Sequence, residues 1–535
     1  MNHRPTNHLL IILVLVVLGL VYAFRIGPPA TYPAFGFDSS LYLVTAKALS
    51  EGQGFRLLND PDRPVSPYVP IGYPALLSIA LHFVSLDPWG ITILRAISVL
   101  TCLIFLFFSY QLLRQYVSPP TAAIAVFLIG FQSQVVLWAG EIMSECPFGM
   151  WTSAAIFFAV RSLRKRQESE RRWWFDISVA GLLAGFAVLT RTLGFTMILG
   201  IVIALALNYR WRKLVVFTGA SALIAAPWLI WSAVFIRGGG SVNNYMEWAS
   251  SRYHWSRPLA NVWTMIAEAV PSIYFAPAGT PLGRQVLNQW GLHLSWTLPI
   301  VGLVLAAIFL VGLVALLKRR DLVAWCAVLY LAVLVFYPWE PSRYLVPIYP
   351  LLAIPLITGG KLLWRRGELF RIPAQARAAA LIVVLAISSL GLLITNLFGI
   401  SNVYLYGHFG GPGSVRTWNN LSAAFNWIKQ NVPENGVVVT LFPYGTYLFT
   451  DRQTISEPET AAKLESVVAN VKPDSALFIF AKETYLENQE VSITPLHDFA
   501  VEHPERVRLR WETPDHKIMI CEIVSSDVAL KQERD

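Results

Sequence analysis

Long apolar segments recur from one end of this chain to the other, and they constrain its fold more than any other feature. The clearest are Leu9–Phe24, Ile91–Leu113, Leu214–Ile236, Leu294–Leu317 and Ala378–Ile400. A helix of roughly 20 apolar residues crosses the hydrocarbon core of a membrane, which is about 30 Å thick. Charged residues make up only 14% of the 535 residues, against about 25% in an average soluble protein. The sequence therefore predicts a polytopic α-helical membrane protein.

The first apolar segment has two interpretations. Arg4 ahead of an apolar run is also found in cleavable signal peptides. The run is long, however, and the residues from Phe24 to Pro29 form no convincing small-residue cleavage site. We therefore expect the segment to be retained as a membrane anchor.

Basic residues are concentrated in four stretches, and cytoplasmic loops are enriched in Lys and Arg. The stretches are 161–172, 210–213, 318–320 and 361–377. All four are cytoplasmic if the N-terminus is cytoplasmic and the chain crosses the membrane about eleven times. The predicted spans are 9–25, 91–113, 119–137, 146–162, 174–190, 192–208, 213–236, 294–317, 321–338, 343–360 and 377–400. The short segment Ile71–Val84 is then a helix on the outer face, with a short span as the alternative.

Two long loops, 26–90 and 237–293, and the tail after residue 400 are predicted on the outer side. We expect a transmembrane domain over 1–400 and a small extracytoplasmic α/β domain over 401–535. In the tail, Trp418, Leu421, Phe425 and Ile428 recur at helical spacing within a predicted helix, Ser414–Asn431. The predicted strands are Gly436–Phe442, Ser475–Phe480 and Val507–Val524.

Cysteine and histidine residues indicate neither a metal site nor a disulfide framework. The four cysteines form no CxxC pair, and His254 and His293 are isolated in loops. No ligand spacing indicates a divalent metal or another cofactor. The net charge of +9 lies largely in the predicted cytoplasmic loops, so it does not predict nucleic acid binding.

Asp38 precedes a helix-like segment, Leu41–Leu49, in the first outer loop. One interpretation is an N-cap, in which the carboxylate accepts a backbone N–H bond. The other is a general base that takes a proton from an acceptor hydroxyl. The residue pattern alone leaves both open.

Three arginines, Arg95, Arg191 and Arg343, lie near predicted outer ends of spans. Ionisable groups at membrane depth are costly and tend to mark functional sites, and guanidinium groups suit bidentate phosphate binding. The alternatives are that each arginine extends its charge to the membrane interface, or that Glu340 neutralises Arg343.

Glu141 and Glu145 are spaced i and i+4, so they could share one helical face. They are candidates for acid/base groups or metal ligands. An interfacial helix cap is the structural alternative.

These residues occur in an order that resembles the GT-C membrane glycosyltransferases. The nearest branch comprises protein O-mannosyltransferases and bacterial aminoarabinose transferases. The segments that carry the resemblance are Phe37–Tyr42, Ala48–Gly54, Pro70–Pro74, Leu94–Ser98, Ser144–Glu145, Leu189–Gly194 and Ser342–Pro347. Each is weak by itself, and it is their order on one predicted membrane face that makes the match specific.

The resemblance implies an inverting enzyme with a polyprenyl-phosphate-linked sugar donor and a hydroxyl acceptor on a protein, lipid or glycan. It implies that Asp38 is the catalytic base, that Arg191, Arg95 and Arg343 hold the donor phosphate, and that Glu145 or Glu141 is a second acid near the acceptor. Supporting roles fall to the residues Tyr42, Tyr73, Glu340 and Tyr344. The chain departs from the eukaryotic mannosyltransferases at Ser39, where they have a second acid. It also lacks the Glu-Lys pairing expected of an aminoarabinose transferase.

Two other classes are weighed against an enzyme. A transporter typically places ionisable groups near the bilayer midplane on interrupted helices, often within repeats. Here the charges cluster near one face and no repeat is evident, so a transporter of a polar or lipid-linked substrate is the alternative. A scaffold with the tail as its working part is the other.

Overall fold

The fold is described from a computed structural model. It covers residues 6–27, 37–66, 69–164, 170–236, 254–266, 297–369, 412–440, 442–456, 477–481, 502–514 and 518–523, with short stretches between 373 and 405 and at residue 499. Most of the predicted loop 237–293 and much of the predicted span 377–400 therefore lie outside the described residues.

The chain forms two compact units. Unit 1 contains residues 1–29, 67–73 and 92–405, and unit 2 contains residues 30–66, 74–91 and 406–535. Most of the first predicted outer loop thus groups with the tail rather than with the spans. The division at residue 400 into a catalytic membrane domain and an outer domain stays a prediction.

Helices make up nearly all of the described part of unit 1. Those used below are α1 (Thr6–Ile26), α4 (Pro88–Leu113), α5 (Pro119–Phe131), α6 (Ser133–Ala139), α7 (Glu145–Arg164), α8 (Glu170–Thr190), α9 (Gly194–Leu207), α10 (Trp211–Ile236), α11 (Arg257–Thr264), α12 (Thr297–Lys318), α13 (Leu322–Val335), α14 (Ser342–Leu345) and α15 (Tyr349–Leu369). Between α1 and α4, the chain forms α2 (Phe37–Ser50) and α3 (Gly72–Leu81).

The polytopic helical fold is confirmed. Among the described residues, five helical segments are long and apolar enough to cross a membrane: Leu9–Ile26, Pro88–Leu113, Trp173–Thr190, Trp211–Phe235 and Ser342–Arg365. The pair α5 and α6 makes a sixth if it is one span bent by 66°. Shorter apolar helices overlap the predicted spans 192–208, 294–317, 321–338 and, from residue 390 onward, 377–400. The predicted surface segment is a helix of 10 residues, α3.

The predicted span 146–162 coincides with α7, which is not among the apolar segments of spanning length. Its polar residues Thr152 and Ser153 are fully buried. A helix that faces protein on most sides can carry such residues when a hydroxyl bonds to the helix's own backbone. Thr152, for example, donates to the carbonyl of Phe148 at 2.8 Å.

Close helix contacts in unit 1 depend on glycine. Gly312 of α12 and Gly359 of α15 face each other so closely that a Cβ at Gly312 would lie 1.8 Å from the carbonyl oxygen of Pro355. Small residues let helix backbones approach in membranes, where the hydrophobic effect does not drive association between helices.

Unit 2 contains a five-stranded sheet in the described part of the tail. Its strands are β1 (Val437–Thr440), β2 (Gln453–Ser456), β3 (Leu477–Ala481), β4 (Val507–Glu512) and β5 (Met519–Ile523), in the order β2-β1-β3-β5-β4. Strands β2, β1 and β3 run parallel, and β5 and β4 pair antiparallel. The helix α16 (Pro412–Asn431) buries Ala424 and Ile428 in a core with Val438 and Ile520.

The small α/β fold of the tail is confirmed, with two corrections to its elements. The predicted single strand Val507–Val524 is a pair of antiparallel strands, β4 and β5, with Thr513 at the turn bonded to the backbone of Ile518. The helix α17 (Pro443–Thr450) and strand β2 were not predicted. Both are short, so neither shows a clear hydrophobic period.

Candidate functional site

In the described part of unit 1, two buried glutamates each lie between two arginines. The open triad is Arg191, Glu145 and Arg343. The closed triad is Arg25, Glu141 and Arg95. Each draws its members from segments far apart in the sequence.

The open triad is assembled at helix ends. Glu145 is the first residue of α7, where the partial positive charge of a helix N-terminus favours a carboxylate. Arg191 lies in the turn between α8 and α9, and its backbone N–H bonds to the carbonyl of Ala187. Arg343 lies in α14, a single turn.

Both arginines of the open triad contact the same carboxylate oxygen. Arg191 donates to Oε1 of Glu145 at 3.0 Å, and the Nε of Arg343 lies 3.5 Å from that oxygen. The side chain of Glu145 is fully buried, whereas that of Arg343 is 29% exposed. Two guanidinium groups share one carboxylate, so the triad has a formal charge of +1 and an exposed cationic side.

An aromatic ring organises the two cations of the open triad. The ring centroid of Tyr344 lies 4.8 Å from the guanidinium carbon of Arg191 and 4.8 Å from that of Arg343. Tyr337 packs edge-on against the same ring at 4.7 Å, and Tyr330 donates to the backbone carbonyl of Tyr344 at 2.7 Å. Cation–π contacts of this kind hold a guanidinium in place.

The closed triad joins α1, α4 and the turn after α6. Arg25 donates to Oε1 of Glu141 at 2.5 Å. Arg95 donates to the carbonyls of Gly140 at 2.6 Å and Ile26 at 3.1 Å, and lies 4.0 Å from Glu141. All three charged side chains are no more than 7% exposed.

This geometry separates Arg95 from Arg191 and Arg343, which the sequence analysis assigned together to the donor phosphate. The Arg95 guanidinium donates hydrogen bonds to two backbone carbonyls. This favours a supporting role over a phosphate contact. Arg25 was not predicted as a site residue. The signal was present, because Arg25 ends the first apolar segment, where an ionisable group is costly.

The expectation that Glu141 and Glu145 share a helical face is wrong. Helix α6 ends at Ala139 and α7 begins at Glu145, so Glu141 lies in the intervening turn. The backbone N–H of Met143 bonds to the Glu141 carbonyl at 2.9 Å within that turn. The two carboxylates consequently form ion pairs with different arginines.

The remaining predicted site residues lie in both units. Asp38 is in the first turn of α2 and partly exposed, and Tyr42 is buried in the same helix. In unit 1, the Tyr73 hydroxyl lies 3.1 Å from the hydroxyl of Ser98. Glu340 is exposed and accepts a hydrogen bond from Ser342 at 2.8 Å.

Metal ligands are not grouped in the part of the chain that the structure describes: no set of three or more His, Cys, Asp or Glu side chains there could hold an ion. The four cysteines are all buried and free.

This architecture is similar to that of known proteins. Residues 68–231 match the family model of dolichyl-phosphate-mannose-protein mannosyltransferases. The structure of ArnT from Cupriavidus metallidurans bound to undecaprenyl phosphate matches with a TM-score of 0.56 at 15% identity, over 96% of this chain and 98% of that chain. The fold is that of the GT-C glycosyltransferases.

A second GT-C structure agrees. The archaeal oligosaccharyltransferase AglB from Archaeoglobus fulgidus, in complex with an inhibitory peptide and a dolichol-phosphate, matches with a TM-score of 0.55 at 16% identity, over 96% of this chain and 74% of that chain. No curated protein sequence matches the chain. The resemblance to the GT-C superfamily is confirmed. The matched segment 68–231 contains Arg95, Glu141, Glu145 and Arg191, whereas Asp38 and Arg343 lie outside it.

Proposed function

We propose that this protein is an inverting glycosyltransferase that moves a hexose or pentose from a polyprenyl-phosphate donor to a hydroxyl of a protein, lipid or glycan. The observation that carries the proposal is the open triad, a buried carboxylate shared by two arginines of which Arg343 is partly exposed. The match to a mannosyltransferase family model and the GT-C fold support it.

The open triad suits a lipid phosphate. A polyprenyl phosphate is already a competent leaving group, so the enzyme has to stabilise the negative charge that grows on its oxygens. Fixed guanidinium groups do this without reorganising at the moment of reaction. In the proposal, Arg191 and Arg343 bind the phosphate, Tyr344 keeps them in place, and Glu145 orients them. Arg95 belongs to the closed triad.

Asp38 is the proposed general base. Its carboxylate takes the proton of the acceptor hydroxyl, and the oxygen attacks the anomeric carbon. The bond from that carbon to the phosphate oxygen breaks, and its electron pair leaves with the polyprenyl phosphate. A single displacement of this kind inverts the anomeric centre.

We also propose that this chemistry occurs at the outer face of the cell membrane, with the N-terminus in the cytoplasm. Two exposed serines test the orientation, Ser118 between predicted spans 2 and 3 and Ser256 in the second long loop. A cysteine at Ser256 should react with an impermeant maleimide in intact cells, and one at Ser118 only after permeabilisation. The native cysteines are buried, which keeps the background low. Labelling of both from one side would overturn the orientation.

Asp38→Asn tests the catalytic proposal. Asparagine keeps the size of the side chain and caps helices well, but it cannot accept the proton. Turnover in proteoliposomes, measured across a panel of polyprenyl-phosphate sugars, should fall by about a hundredfold or more, the scale of lost general-base catalysis. Binding of undecaprenyl phosphate should change little.

Asp87→Asn is the matched control. Asp87 is an acid in the same outer loop just before α4, and it accepts the backbone N–H of Gly90 at 2.7 Å. Its asparagine variant should keep normal turnover because the cap survives. Near wild-type turnover by Asp38→Asn would refute the general-base assignment.

A further inference from the structure

The helix that carries Asp38 is packed against the tail within unit 2. Ser40, two residues after Asp38, is buried and faces Gly445 of α17, where a Cβ would lie 3.5 Å from its hydroxyl oxygen. The tail therefore reaches α2 close to the proposed base.

A second contact follows two turns further along the same face of α2. The Nζ of Lys47 lies 3.5 Å from the Tyr447 hydroxyl, 3.5 Å from Asp451 and 5.0 Å from the Tyr447 ring centroid. Partial burial lowers the pKa of Lys47, but Tyr447, Asp451 and Glu51 outweigh that effect and leave the pKa raised. Lys47 therefore stays charged and bound to the tail at neutral pH.

The chain after α2 makes the third contact. Helix α2 ends at Ser50, and Gly52 in the following turn has a positive φ of 70°. The N–H of Gln53 bonds back to the carbonyl of Ala48. A small hairpin follows directly, closed by the paired residues Arg56 and Val65. The hairpin is thus tied closely to the helix.

Asn59, in that hairpin, covers the edge of the tail's sheet. The Thr454 N–H of edge strand β2 donates to the Asn59 carbonyl at 2.6 Å. The Asn59 amide donates in turn to the Thr454 carbonyl at 3.3 Å and lies 3.2 Å from its hydroxyl. Both residues are buried. Asn59 thus pairs with β2, the edge strand of the described sheet, as a single residue of an additional strand would.

We infer that the C-terminal sheet, with α17, is a positioning element for α2, and that Asn59, Thr454 and Lys47 are its positioning residues. The inference rests on the proposed role of Asp38, because its functional consequence is the placement of that base. The tail in this arrangement is part of the catalytic apparatus rather than a separate module for the acceptor.

The test uses Asn59→Ala, which removes the side-chain donors and leaves the backbone carbonyl in place. Hydrogen exchange of the full-length protein in detergent should rise about tenfold across Phe37–Ser50, the scale of one lost buried hydrogen-bonding group. Turnover per folded enzyme should fall by a similar factor, with the donor KM within about twofold. A role in folding alone would lower the folded yield and leave exchange in α2 and turnover unchanged.

Arg510→Gln is the matched control. It breaks the ion pair of Arg510 with Glu522 between β4 and β5, at the opposite edge of the same sheet. Exchange in α2 should not change in this variant. If Asn59→Ala does not fold, Lys47→Met keeps the aliphatic stem and should raise exchange in α2 about twofold to threefold.

Unchanged exchange in α2 for the folded Asn59→Ala protein, or for Lys47→Met in its place, overturns the inference. The exchange result does not depend on the identity of the base. Failure of the Asp38 assignment would appear only in the turnover of Asp38→Asn, so the two proposals can fail separately.

Discussion

The open and closed triads have the same composition but different surroundings. Each places one glutamate between two arginines, and the glutamates are four residues apart in the sequence. In the closed triad, Arg25 and Arg95 are about 5% exposed or less. In the open triad, Arg343 is 29% exposed. Residue type alone therefore does not separate the two triads, and the proposed difference in their roles rests on solvent access.

The closed triad also binds the protein backbone, which adds to its difference from the open triad. Arg95 binds two main-chain carbonyls and so ties the end of α1 to the turn that precedes α7. A Cβ at Gly140 would lie 2.9 Å from the side chain of Arg25, so this turn also fits closely around the closed triad. The closed triad thus supports the segment that leads to Glu145.

The largest effect is expected from Arg25→Gln. Removing one partner of a buried ion pair leaves an uncompensated charge, which costs about 3–5 kcal/mol. The free energy of unfolding should fall by this amount. Arg343→Gln should cost about 1 kcal/mol or less, since partly exposed pairs contribute little.

Thermal unfolding in detergent measures both variants. If Arg25→Gln were as stable as Arg343→Gln, the closed triad would have no special structural role and the comparison would fail.

Arg191→Ala should weaken binding of undecaprenyl phosphate about 10- to 100-fold, because a charge-assisted hydrogen bond contributes about 1.5–3 kcal/mol. The acceptor requirement should change little. Arg191→Lys should keep part of the affinity as a point charge without bidentate geometry.

Arg95→Gln provides the contrast from the closed triad. Its folded fraction should bind undecaprenyl phosphate normally. Calorimetry or fluorescence titration measures the dissociation constants. Unchanged affinity in Arg191→Ala would make Arg191 an interfacial anchor and remove the basis of the proposed phosphate site.

The smallest effect is expected from Tyr344→Leu. The ring lies against both guanidinium groups of the open triad, and each cation–π contact contributes about 0.5–1 kcal/mol at such sites. Phosphate affinity should fall about threefold to tenfold, with Arg191 and Arg343 still present. Tyr344→Phe keeps the ring and should bind like the wild type; an equal loss in both variants would assign the effect to the hydroxyl instead.

Much of the fold could be predicted because hydropathy reports on it directly. Apolar length identified the helices of unit 1, and helical spacing identified α16 with its buried Phe425 and Ile428. Strand β2 and helix α17 were missed because a four-residue strand and an eight-residue helix have too few positions to show a period. The site was predicted in part, since an arginine at the end of an apolar segment is visible in the sequence.

Hydropathy and charge were sufficient to identify a membrane protein and to single out Asp38, Arg191, Arg343, Glu141 and Glu145. Hydropathy and charge did not predict which of these residues pair with each other. The sequence spacing of Glu141 and Glu145 favours a shared helical face. Because a helix boundary lies between them, each carboxylate instead contacts different arginines. Arg25 and Asn59 acquire their roles only from partners more than 100 residues away in the chain. Burial and partner choice depend on which segments the fold brings together, and no local pattern encodes that.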